Sequence, residues 1–188
     1  VTGLETAPDL IRLAEMSAKE SGLLERVLFI EGNLLSPPGD MVPDGKGGSI
    51  LAGGYFDINN QPIIDKSVAG KERQFYSDSP DGTSLLKIDG AKVAGVKGNT
   101  VFAVVQFEYT TRDQAGASAY GRLPSPIGVL TLDQDPATGK LTLVKYHNVD
   151  TSSVNGLWIT CGASLSPWNT HLSSEEYEPD AFTASTNA

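Results

Sequence analysis

The stretch IGVLTLDQDPATGKLTLVKYHNV, residues 127–149, decides the class of fold. Two β-rich runs, VLTLD and LTLVKY, flank DPATGK, where Pro136 and Gly139 suit a tight reversal. The pair reads as a β-hairpin. The same rhythm recurs on either side of it. SPDGTSLLKIDG, KVAGVKG, NTVFAVVQFEYTT and GLWITC are further short β-rich runs divided by turn residues. Twenty glycines and eleven prolines supply the turns, and frequent Val, Ile and Thr favour strands over helices. The expectation is an all-β protein built as a sandwich or a β-propeller. No strict internal repeat chooses between them. TRDQAGASAYGRLPSP reads as an exposed loop between two long strands.

The 188 residues fit one β-rich domain with a sizeable core. Residues 1–25 read as a helical lead-in. Thr6 and Asp9 have capping-box spacing, Pro8 lies in the first turn, Leu10, Leu13 and Ala14 share a side, and Gly22 closes the helix. ERVLFIEG then reads as a strand. Residues 34–80 are a loop-rich decoration, because SPPGDMVPDGKGGS carries too many breakers for a regular element. Short strand candidates emerge from it in GSILAGGYFDI and QPIID. Residues 81–180 carry the regular strands.

A formal charge of -9 argues against nucleic acid as a partner, since phosphates call for clustered Lys and Arg. No run of apolar residues is long enough to span a membrane. A single cysteine cannot form an internal disulfide. Val1 suggests a mature chain or a fragment, without an export signal in this sequence.

Several motifs fail on inspection. GDMVPDGKGG lacks the Gly spacing and the Ser or Thr of a phosphate loop. GASLS around Ser164 has Ser166 where a nucleophile elbow needs Gly. Asp133 and Asp135 resemble half a calcium loop, but hairpin duty explains them better. His147, at a strand end, reads as an ordinary polar residue.

The segment LWITCGASLSPWNTHLSSEEYEPD, residues 157–180, gathers the lone Cys161, Trp168, His171 and a run of carboxylates. As strands, GLWITC puts Leu157, Ile159 and Cys161 on one face, and NTHLSSEEYE puts Glu175 and Glu176 on opposite faces. A thiolate beside carboxylates repels them unless a cation lies between. Soft sulfur suits a transition metal, and hard oxygen suits a cation such as calcium. A buried structural cysteine and a solvated acidic strand end account for the same residues equally well.

CGASLSPWNTHLSSEE resembles the signature of the PhoX-type alkaline phosphatases, in which a cysteine and small residues lead to Thr-Pro-Trp-Gly-Thr and a strand ending in Glu-Glu. Pro167, Trp168, Thr170 and Leu172 fall in register with it. The resemblance covers residues 161–176. It implies a β-propeller, exported to the periplasm or beyond, that hydrolyses phosphate monoesters with iron and calcium. It would place Cys161 at an iron pair and make Glu176, and less directly Glu175, a metal ligand, with Trp168 and Thr170 shaping the turn. The cations would supply the positive potential that this acidic chain lacks. This sequence departs from the pattern at CGAS, at Asn169 in a Gly position, and at Ser174.

Since the family's other ligands come from later blades, the resemblance also implies that this chain is the N-terminal part of a larger propeller, inactive alone. Two other functions stand beside the metallophosphatase. One is a non-catalytic propeller or sandwich module binding calcium or a partner. The other is a calcium-dependent, lactonase-like propeller hydrolase.

Overall fold

A computed structural model describes residues 38–176 of the chain. The helical lead-in expected over residues 1–25 and the strand expected at ERVLFIEG lie outside this range. Within it the protein is all-β. Ten strands pair only in antiparallel ladders, with one 3-10 turn at Ser152–Val154. None of the sheets among the described residues closes on itself.

The centre is a meander of four strands: β5 (Pro80–Leu86), β6 (Asn99–Phe107), β7 (Ile127–Gln134) and β8 (Leu141–Asn148), in the order β5-β6-β7-β8. The hairpin read from the sequence at 127–149 is its β7–β8 pair. Its turn is held by Asp135, whose Oδ1 accepts the amide N–H groups of Ala137 and Thr138 at 2.8 Å. That anchoring also settles the hairpin duty of Asp135. Asp133 accepts the amides of Lys97 and Gly98.

Alternation along the strands sorts the sheet into two faces. Leu85, Ala103 and Leu130 are opposed across β5, β6 and β7, as are Val101 and Leu132. With Tyr146 and Leu141 they form the main apolar core. A hairpin of β1 (Met41–Pro43) and β2 (Ser49–Leu51) supplies Val42 and Ile50 to this face. Gly128 lies under the ring of fully buried Tyr146, where any Cβ would overlap the aromatic carbons. The ring's hydroxyl accepts the Gly53 amide at 3.0 Å and donates to Asn148 Oδ1 at 2.9 Å.

Over residues 38–79 the chain is mostly turns and irregular segments, with four strands of two or three residues. One point needs correction: the run MVPDGKGGS does hold a regular element, because β1 lies in it and its glycines build the β1–β2 turn. Asp44 Oδ1 accepts the amides of Lys46 and Gly48, and Gly45 and Gly47 adopt positive φ. Further on, β3 (Ile64–Asp65) pairs with β4 (Arg73–Gln74). KVAGVKG, by contrast, forms no strand: turns connect β5 to β6 there. TRDQAGASAYGRLPSP is the loop expected, although Ala119 and Ser125 are buried.

A further hairpin, β9 (Thr160–Leu165) with β10 (His171–Glu175), packs against β5 and the end of β6. Here too the sequence reading shifts. GLWITC is not a continuous strand, because Ile159 takes φ 41° and β9 begins only at Thr160. Ile159 and Thr160 are both buried, so the simple alternation of faces through this segment does not hold.

Candidate metal centre

Three ligand-bearing side chains from distant parts of the sequence meet where β9 crosses β5. Asp81 stands near the start of β5. The β5–β6 register shifts between Pro80 and Thr83, so Asp81 and Gly82 form a bulge. Bulges of this kind re-aim side chains out of the regular pleat. Gly82 permits the crossing, because a Cβ there would collide with the Cys161 carbonyl and with Ala163.

Glu108 follows β6 directly. Its amide donates to the Ser79 carbonyl at 3.0 Å, and its own carbonyl accepts the Ser125 hydroxyl at 2.6 Å. Cys161 is the second residue of β9, one place beyond buried Thr160.

The Cys161 thiol donates to Asp81 Oδ2, with Sγ and oxygen 2.9 Å apart. One ligand atom each from Asp81, Glu108 and Cys161 lies within 4.8 Å of the others, and all three residues are half-buried. The electrostatics follow from this crowding. Burial, then the hydrogen bond to Asp81, then the negative charges of Asp81 and Glu176 push the Glu108 carboxyl up to about 7. The hydrogen bond to Asp81 leads for Cys161, with burial and the surrounding carboxylates, and pushes its thiol up to about 12. The metal-free cluster therefore retains protons at neutral pH.

The residues expected to matter from sequence take different places around it. Cys161 is a member of the cluster. Glu176, exposed, bonds through its amide to the Ile159 carbonyl, and its charge acts on both Glu108 and Cys161. Glu175 directs Oε1 to the Trp158 amide at 2.7 Å. A register shift between Ser173 and Glu175 interrupts the alternation that placed the paired acids on opposite faces.

Trp168, 76% exposed, sits at the tip of the β9–β10 turn. That turn is closed by Thr170, whose hydroxyl lies 2.7 Å from the Ser166 hydroxyl. Asn169, at the position where the resembled signature has glycine, adopts φ 63°. Asn tolerates that left-handed conformation better than other side chains do, and its amide also donates to the Lys87 carbonyl at 2.7 Å.

Sequence reasoning missed Asp81 and Glu108. Asp81 was hidden between Pro80 and Gly82, which look like ordinary turn punctuation. Glu108 offered one signal, a carboxylate at the end of the long apolar strand NTVFAVVQF. A second group also went unseen. On the sheet face opposite the main core, His171 Nδ1 lies 2.9 Å from Ser84 Oγ and Nε2 lies 2.8 Å from Gln106 Oε1. Gln106, fully buried, donates its amide nitrogen to the Gly162 carbonyl at 3.3 Å.

Comparison of the chain with protein-family models, with curated proteins and with solved structures returns no match. Among the described residues, no helix is long and apolar enough to cross a membrane.

Proposed function

We propose that the chain belongs to a metal-dependent hydrolase of phosphate monoesters, similar to the PhoX-type alkaline phosphatases, with Cys161, Asp81 and Glu108 as its metal-holding residues. One observation carries the reading. A thiol and two carboxylates from three separate stretches converge within 4.8 Å. Ionised together they would repel one another, and a bound cation would relieve that repulsion.

The donor set fits a transition metal such as iron better than calcium. A thiolate is a soft ligand. Two carboxylates alone fall short of the roughly six to eight oxygens that calcium takes. Glu176 is a further acidic side chain whose charge reaches the cluster, and in this reading it supports a second, harder cation. Glu175 is the less direct candidate, since one of its oxygens already accepts the Trp158 amide. The four-stranded meander β5–β8 corresponds to one propeller blade. The periplasm or the extracellular space is the location this reading implies.

When bound, such a metal polarises a phosphoryl oxygen and lowers the pKa of bound water. The chain's own residues govern its entry. Cys161 and Glu108 must both release protons to become ligands, so uptake strengthens as pH rises. Asp81, the acceptor of the thiol proton, exchanges that hydrogen bond for the metal.

Elemental analysis after reconstitution with iron and calcium tests the reading. Iron retained by the wild type and lost in Cys161→Ser and Asp81→Asn supports it. The iron-loaded chain is also expected to bind inorganic phosphate in calorimetry. Calcium without iron points instead to the lactonase-like hydrolase, and retention of neither to a non-catalytic module. Robust phosphatase turnover unaffected by chelator refutes the metal mechanism.

A further inference from the structure

The His171 network ties β10 to β5, β6 and β9, the three strands that carry or adjoin the acid–thiol cluster. Ser84 lies on β5 with Asp81. Gln106 lies on β6, two residues before Glu108. Gly162 follows Cys161 on β9, and His171 begins β10. Hydrogen-bond chemistry fixes the protons in this chain. The Gln106 amide nitrogen donates to a carbonyl, so its oxygen is the atom facing His171 Nε2. Nε2 must then carry the hydrogen. In the neutral ring Nδ1 keeps its lone pair and accepts the Ser84 hydroxyl.

We propose that His171 is a positioning residue: held as the Nε2–H tautomer between Ser84 and Gln106, it sets β9–β10 against β5–β6 and so holds Cys161 beside Asp81 and Glu108. The inference rests on the metal reading above only for the purpose it assigns to that alignment. Burial of the ring lowers its pKa from the ordinary 6.5, in keeping with a neutral imidazole. The Ser–His–Gln order resembles a hydrolytic triad, but Ser84 is only 5% exposed and lies too deep to meet a substrate.

Two tests need no metal. Long-range proton–nitrogen NMR of the imidazole should show Nε2 protonated and Nδ1 bare at pH 7. The opposite tautomer or a doubly protonated ring overturns the proposal. Iodoacetamide should alkylate Cys161 in the folded wild type slowly, because its thiol is held by Asp81. His171→Phe and the gentler Ser84→Ala should raise that rate about tenfold or more, after correction for each variant's unfolding equilibrium in urea. Unchanged rates in both folded variants overturn the proposal.

The third test is titration with cobalt(II) alone, followed by the thiolate-to-cobalt absorption. Residues that orient metal ligands typically contribute about tenfold to a hundredfold in affinity, and that is the loss expected in both variants. Equal affinity in wild type and variants overturns positioning. Absence of cobalt binding by the wild type sinks the metal reading instead, and the two metal-free tests then decide the role of His171.

Discussion

Replacing Glu108 with Gln should stabilise the metal-free protein above neutral pH and do little at pH 5. The Glu108 carboxyl ordinarily titrates at 4.5 and is pushed to about 7 in the fold by burial and by Asp81. A raised pKa means that the folded state binds this proton more tightly than the unfolded state. The stability it contributes is complete below 4.5 and is lost as pH rises through 7. In a dry site the ceiling would be roughly 3.4 kcal/mol. Glu108 is only half-buried, so screening by solvent reduces the expected loss to about 1 kcal/mol. Gln cannot ionise and escapes that loss.

Urea unfolding of both proteins at pH 5 and pH 8, with chelator present, measures it. His147 and His171, with pKa values lowered by burial, work in the opposite direction below 6.5. The difference between wild type and variant, rather than either curve alone, isolates Glu108. At pH 8 the variant should be more stable by about 1 kcal/mol. Saturating cobalt(II) should reverse the order, since a ligand at a hundredfold its Kd adds about 2.7 kcal/mol to the protein that binds it. A variant no more stable than wild type at pH 8 without metal refutes the crowding argument.

Three further outcomes test the packing. Gly128→Ala drives a methyl into the buried Tyr146 ring and should lower stability by about 1–3 kcal/mol in denaturant melts. Asn169→Val forces a β-branched residue to φ 63° and forfeits the bond to Lys87; it should lower stability by about 1–2 kcal/mol, whereas Asn169→Gly changes it little. Gly82→Val drives a side chain into the Cys161 carbonyl and Ala163 and so lifts β9 from β5; it should abolish cobalt(II) uptake while circular dichroism still shows a β-sheet.

The sheet was more legible than the site because its determinants are local. Pro136 and Gly139 mark one reversal, and the apolar runs on either side declare their strands. Alternation failed where the backbone left the regular pleat. Neither the positive φ of Ile159 nor the bulge at Asp81 has a signature in residue type, and both decide where side chains point. Strand β1 was missed for a related reason, since glycines that look disruptive serve an Asp44-centred reversal beside it. At the cluster, Cys161 stood out because it is the single cysteine. Its partners are ordinary acids made special by tertiary contact. His171 was noticed only as a scarce residue, and its partners Ser84 and Gln106 are polar groups inside apolar strands, a mismatch that signals a buried network.

The thiol and Asp81 are separated by 80 positions in the chain, whereas neighbouring strands of the meander are linked in succession. Closing the longer loop carries the larger entropy cost, and contacts remote in sequence tend to form slowly. During synthesis a nascent chain can therefore complete its sheet before the sulfur arrives. Ion capture becomes a late step on an already folded platform, so damage to the β9–β10 hairpin can leave a well-folded protein that is blind to metal.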